Sequence, residues 1–380
     1  MELALVVLAI AVIALAIAGG VYGIHLSNLL HAGSLSADHR TPPFDIIAHS
    51  DGDGRITLRA VDTQRGAMDL HHDGIFGIVS AGGYGQVGRI LQRGKGYAVR
   101  EYIPLTATIG ADEPARLDLY ACPKNPLTSH GIAYEQVRYN TELGECHAWF
   151  VPGSGSTWIV FAHGRGAHPN ESLRIMPTLA ESGMPILAIE YRNDEQAPAS
   201  ADKQHWLGMT EWRDLESAMQ YALDNGAGDF VLYGYSMGGG MCVNLLCKSP
   251  LADKVRGTVM DSPLLDFSGT LDIVGDLRGY PRFIVKWGKA IAALRFGIDW
   301  RRMNYLARAS ELRTPVLILH GEADELVPAP ISRRLADARQ DIVRYVGFPS
   351  ASHARSWNHD NVRYEAEVRR FLRAVLADNG

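Results

Sequence analysis

Phe230-Val231-Leu232-Tyr233-Gly234-Tyr235-Ser236-Met237-Gly238-Gly239-Gly240-Met241 passes from a short apolar run, through a serine flanked by glycines, into a segment of helical character. The run has the length and composition of a buried strand, and the stretch from Gly239 to Lys248 reads as a core helix. Gly234-Tyr235-Ser236-Met237-Gly238 matches G-x-S-x-G between them, the strand–turn–helix context in which that motif carries chemistry. The reason is steric: a side chain presented on so sharp a turn leaves room only for glycine on either side. The helix that follows helps to stabilise negative charge developing beside the serine. The bland alternative is a glycine-rich strand–helix turn with a surface serine.

A nucleophilic serine needs a base, and the base needs a carboxylate to orient it. Short apolar strands continue downstream at Val255 to Met260, Val316 to Leu319 and Ile342 to Val346. Asp324 follows the second of these, within His320-Gly321-Glu322-Ala323-Asp324-Glu325-Leu326-Val327-Pro328, and His353 follows the third, in Ser350-Ala351-Ser352-His353. Both fall at the C-terminal edge of their strands, on the rim expected for Ser236. In this reading His353 takes the Ser236 proton, Asp324 holds its tautomer, and His353 later protonates the leaving group. Asp261 and Asp266, after an earlier strand, compete for the acid role. Glu322 and Glu325 read as solvated, His359 as a surface residue, and His163 and His320 as structural.

The oxyanion of an acyl-transfer intermediate needs N–H donors. One is the backbone N–H of Met237. The other belongs to the loop after strand Trp158 to Ala162, His163-Gly164-Arg165-Gly166, with Arg165 the first choice and Gly164 the alternative. The Arg165 side chain reads either as a substrate contact or as solvated.

Upstream, Ala133 to Tyr139 and Cys146 to Val151 read as a hairpin, followed by a strand at Ile186 to Glu190 and helices near 171–183, 210–225 and 359–377. Thr210 is the expected N-cap of the second helix. Strands alternating with helices predict a mainly parallel sheet covered on both faces. Residues 44–130 alternate apolar and polar positions between glycines, which predicts a β-rich accessory region. Within it, Gly83-Tyr84-Gly85-Gln86-Val87-Gly88 fits G-x-G-x-x-G, but no helix opens there, so a hairpin is expected rather than a dinucleotide site. Asp51-Gly52-Asp53-Gly54 echoes a calcium loop without its closing glutamate and reads as a turn between strands.

With His-Gly-x-Gly, Gly-x-Ser-x-Gly, His-Gly-x-x-Asp-x-x-Val-Pro and a late histidine in order, residues 131–380 resemble the α/β-hydrolase superfamily, its serine-peptidase-like and esterase-like members. The resemblance implies an eight-stranded sheet with strand 2 antiparallel, helices on both faces, and hydrolysis of an ester, thioester or amide without a cofactor. A short helical cap is expected at 263–310. There Phe283, Ile284, Trp287, Ile291, Leu294 and Phe296 either line an acyl pocket or pack as a cap.

From Leu3 to Ala18 every residue is Ala, Val, Leu or Ile, and the apolar character continues to Ile24. Residues 1–24 are therefore expected to form a transmembrane anchor, and 25–43 a linker. The first basic residue, Arg40, leaves the orientation open. A net charge of -5 with scattered arginines argues against a nucleic-acid partner. The 4 cysteines lack metal spacing. Cys242 and Cys247 read as core residues, while Cys122 and Cys146 form a pair only outside the cytoplasm. The expected function is hydrolysis of an acyl ester of a small molecule, lipid-derived in one version, through an acyl-enzyme on Ser236. A peptidase or amidase of the same fold, and a non-catalytic binding module, are the alternatives.

Overall fold

The computed structural model describes residues 19–37, 41–61 and 70–377. Helix α1 occupies residues 19–30 and runs into a π-turn at His31–Leu35. The first 18 positions of the expected anchor lie outside the described residues. Among the described residues, no helix is long and apolar enough to cross a membrane. The stretch expected as a linker from residue 25 is helical to residue 30 and packs on the cap. It does so because its leucines recur at helical spacing, at positions 26, 29 and 30.

Six antiparallel strands then close into a barrel: β1 (Ile46–Ser50), β2 (Arg55–Ala60), β3 (Phe76–Ser80), β4 (Tyr84–Gly94), β5 (Tyr97–Pro104) and β6 (Glu113–Asp118). Alternate residues such as Ile46, Ala48, Ile56, Leu58, Ile78 and Val87 fill its interior. The 51–54 segment turns β1 into β2, and the glycine-rich 83–88 segment begins β4 of the β3–β4 hairpin. Among the described residues no group of three or more His, Cys, Asp or Glu side chains is placed to hold a metal ion.

The second sheet has 8 strands in the order β14-β13-β12-β11-β9-β10-β8-β7. These are β7 (Glu135–Thr141), β8 (Gly144–Val151), β9 (Thr157–Ala162), β10 (Ile186–Ile189), β11 (Asp229–Tyr235), β12 (Val255–Asp261), β13 (Val316–Gly321) and β14 (Val343–Phe348). β8 is antiparallel to both β7 and β10, and the strands from β9 onward pair in parallel. Every residue of β9 and β13 is buried, as a sheet covered on both faces requires. One face packs under α2 (Trp212–Asp224) and α3 (Met237–Lys248), the other under the C-terminal helix Asn361–Ala377.

Three local expectations need correction. Residues 171–183 do not form one helix: a 3-10 turn at Pro169–Arg174 precedes a short helix at Met176–Ala180, since Pro177 can begin a helix but not continue one. Thr210 does not cap α2. Glu211 precedes its first residue, and the Glu211 carboxylate turns back to accept from the N–H groups of Trp206 and Gly208. The strand expected at Ile186 to Glu190 ends one residue earlier, at Ile189. All 4 cysteines are free thiols; Cys122, Cys146 and Cys242 are buried, and Cys247 is half-buried.

The cap consists of α4 (Phe267–Leu277) and α5 (Arg282–Phe296), followed by a 3-10 segment at Tyr305–Glu311. Its apolar residues are divided between faces. Phe283, Trp287 and Leu294 are exposed, while Val285, Gly288 and Lys289 turn toward a cavity over the sheet.

Candidate active site

Ser236 stands between β11 and α3 with φ 49° and ψ -109°, a backbone conformation that other residues rarely adopt. The turn holds because Ser236 N–H donates to the Asp261 carbonyl at 2.8 Å, and the Ser236 carbonyl accepts from Gly239 and Leu264. A Cβ on Gly234 would lie 2.5 Å from the Gly238 backbone, and one on Gly238 would run into the Ala162 carbonyl. The glycines of the motif are thus demanded by the close approach of three backbone segments.

Ser236, His353 and Asp324 meet at the C-terminal edge of the sheet. Ser236 Oγ is 3.0 Å from His353 Nε2, and His353 Nδ1 is 2.7 Å from Asp324 Oδ2. Asp324 is fully engaged: its Oδ1 accepts from the N–H groups of Leu326 and Val327, and its Oδ2 also faces His320 Nε2 at 3.3 Å. Burial acts to raise the Asp324 pKa, but the two imidazoles and these hydrogen bonds outweigh it and hold the carboxyl far below its ordinary value. For His353 burial acts downward, the Asp324 carboxylate outweighs it, and the imidazole pKa lies above its ordinary value. Nδ1 carries the proton toward Asp324 in this arrangement, leaving Nε2 to accept from Ser236.

The competing acids sit elsewhere. Asp261 accepts from the Ser262 hydroxyl at 2.9 Å, and Ser262 Oγ in turn accepts from the N–H of Ala354 at 3.2 Å. It braces the loop of His353 from behind, and burial, only partly countered by Arg174, pushes its pKa up to about 6. Asp266 caps α4 by accepting from Gly269 N–H. Glu325 is exposed, whereas Glu322 is held by the Tyr345 hydroxyl and by Arg333, contrary to the solvated reading. His320 bonds Ser332 and the Val327 carbonyl, and His163 bonds Asp194 and the Gly164 carbonyl, both as supports.

Met237 begins α3, where backbone N–H groups lack intrahelical partners. On the other side of Ser236 runs the loop of Gly164 and Arg165; a Cβ on Gly164 would lie 3.4 Å from that of Ser236. The Gly164 N–H is committed to the buried Glu171 carboxylate at 2.7 Å. The Arg165 side chain is half-buried at the edge of the cavity over Ser236, and it donates to the Ser36 carbonyl at 3.2 Å and to that of Gly33.

Sequence reasoning missed Glu171 and Arg174. Arg174 is buried, pairs with Glu171, and donates to the Ala354 carbonyl at 2.7 Å and to Asn358 Oδ1 at 2.8 Å. The pair therefore ties the loop of Gly164 to the loop of His353. An acid and a base three apart among Leu173, Ile175 and Met176 were the available signal.

Above Ser236 lies a cavity of about 370 Å³. Phe267, Leu271, Val274 and Val285 of the cap and Leu207 and Val327 of the rim line it. Of the six cap residues named as a possible acyl lining, none borders this cavity. Ile291 and Phe296 pack instead on α1 and its π-turn.

Comparison with known proteins agrees with this architecture. A family model described as alpha/beta hydrolase fold matches residues 157–283. The chain is 26% identical over 243 residues to the alpha/beta hydrolase domain-containing protein WAV2 of Arabidopsis thaliana, covering 60% of this chain and 74% of that protein. It is 21% identical over 254 residues to the protein YfhR of Escherichia coli K12, covering 64% and 83%. Among solved structures, the Pyrococcus furiosus esterase Pf2001 is similar with a TM-score of 0.53 and 17% identity, over 67% of this chain and 95% of that one.

Proposed function

We propose that the chain, whose residues 157–283 match a family model described as alpha/beta hydrolase fold, is a serine esterase of that superfamily acting on acyl esters, held at a membrane by its N-terminal apolar run. The observation that carries this reading is the hydrogen-bonded series Ser236–His353–Asp324 opening beneath an apolar cavity.

In this mechanism Ser236 Oγ attacks the acyl carbon while its proton passes to His353 Nε2. The imidazolium so formed is stabilised by Asp324, which stays ionised. The N–H groups of Met237 and Arg165 hold the oxyanion of the tetrahedral intermediate. Collapse breaks the ester C–O bond, and His353 returns its proton to the departing alkoxide. Water, deprotonated by the same imidazole, then frees the acid from Ser236. The predominance of apolar side chains in the lining, among them Leu207, Phe267, Leu271, Val274 and Val285, supports an aliphatic acyl group over a peptide backbone.

Labelling with a fluorophosphonate probe tests the chemistry. Wild type should label and Ser236→Ala should not; equal labelling of the two would sink the proposal. Among substrates, p-nitrophenyl esters should turn over well ahead of aminoacyl anilides, and the reverse order would make the protein a peptidase. Sedimentation of the full chain with membranes, lost on deleting residues 1–18, tests the anchor.

A further inference from the structure

The cavity over Ser236 has a wall that does not come from the hydrolase sheet or its cap. Leu26, Leu29 and Leu30 of α1, with Gly33 and Ser34 of the π-turn, form part of its lining beside α5. We infer that this N-terminal segment is a built part of the acyl-binding site, one that receives a single aliphatic acyl chain between α1 and the cap and sets the chain length accepted. The inference rests on the esterase reading and adds the element that selects among esters.

Several independent contacts seat the segment. α1 lies against α5 closely enough that a Cβ on Gly23 would come 2.5 Å from Ile291 and one on Gly19 would come 2.7 Å from Trp287. Gly288 makes the reciprocal allowance, since a Cβ there would meet Leu26 at 3.0 Å. The Arg295 guanidinium donates to Ser27 Oγ at 2.5 Å and to Asn28 Oδ1 at 2.8 Å. The His31 ring stacks on Phe296 at 4.1 Å, and the Leu35 carbonyl accepts from His205 N–H at 2.7 Å. The cavity is lined by more apolar than polar surface, with Arg165, Thr270, Arg278, Tyr280 and Lys289 also bordering it, and the leucines of α1 add an apolar wall that fits a methylene chain.

The segment also reaches the chemistry. The guanidinium of Arg165 is bonded to the carbonyls of Gly33 and Ser36, so the residue offered as oxyanion donor is fastened to the wall of the acyl site. A chain seated against Leu26 and Leu30 therefore presses on the element that orients the oxyanion loop. Acyl length is then felt in kcat as well as in KM.

Two substitutions of opposite sign test this in the full chain. Leu30→Trp fills the groove, and Leu30→Ala widens it. The ratio of kcat/KM for p-nitrophenyl dodecanoate to that for the acetate should fall at least tenfold in Leu30→Trp. In Leu30→Ala the preferred acyl length should move upward; misfolding cannot produce this pair of opposite changes. A ratio within twofold of wild type in both variants overturns the inference. Binding of a dansyl-labelled long-chain fatty acid, measured by fluorescence, separates this result from failure of the esterase reading. If wild type cleaves no ester, weakened binding of that probe in Leu30→Trp still supports the wall. Unchanged probe binding removes it, whatever the activity.

Discussion

At the scale of single residues, the site is governed by the competition between burial and charge at His353 and Asp324. Burial alone would leave a neutral imidazole and a reluctant carboxylate. The 2.7 Å contact between them reverses both tendencies, raising the His353 pKa and depressing that of Asp324. The sign for activity follows. A base must be neutral to accept the Ser236 proton, so kcat/KM for a soluble ester should fall with acid through a pH above the ordinary imidazole value of about 6.5. Asp324→Asn should move that limb downward and lower kcat by on the order of a thousandfold or more. A wild-type limb at or below the ordinary value, seen in a pH–rate profile, would refute the coupling. The stability sign is opposite for the carboxylate: its contribution is present above about pH 3.9 and is lost as the pH falls.

Among elements, the loops that carry chemistry depend on one buried ion pair. Glu171 accepts from Gly164 N–H beside Ser236, and Arg174 holds the Ala354 carbonyl beside His353. Glu171→Gln keeps the shape but leaves Arg174 without its countercharge, a loss of about 3 kcal/mol by the usual cost of breaking a buried pair. The urea midpoint should drop, and kcat for a short ester should fall about tenfold to a hundredfold with little change in KM. An unaltered kcat would mean that the oxyanion loop keeps its position without this support. Much at this scale was legible beforehand: β9, β11 and β13 are largely apolar runs, because a strand buried on both faces must be apolar, whereas the edge strand β14 carries the exposed Arg344. The 3-10 turn at Pro169–Arg174 was less so, since its proline and its buried charges only make sense once their partners are known.

For the molecule as a whole, the barrel and the hydrolase sheet meet at the loop that bears His353. Asn358 Nδ2 donates to the carbonyls of Ile75 at 2.6 Å and Leu119 at 2.8 Å, and its Oδ1 accepts from Arg174. Within the barrel, the buried Arg100 bonds the carbonyls of His72 and Gly74 and so shapes the edge that Asn358 meets. Asn358→Ala removes the partner of the Ile75 and Leu119 carbonyls and one acceptor of Arg174, which should cost about 1–3 kcal/mol. Urea unfolding should show that loss, with reduced kcat/KM alongside; a variant as stable as wild type would mean that the docking contributes nothing. By itself the sequence determined the sheet, the sharp turn at Ser236 and the order of serine, acid and histidine. Those depend on local period, steric room for glycine and strand polarity. Only the tertiary structure decided that Asp324 rather than Asp261 faces His353, that Arg165 is fastened to Gly33 and Ser36, and that α1 walls the cavity. These are contacts between segments far apart in the chain, and periodicity carries no information about which distant face will come to rest against which.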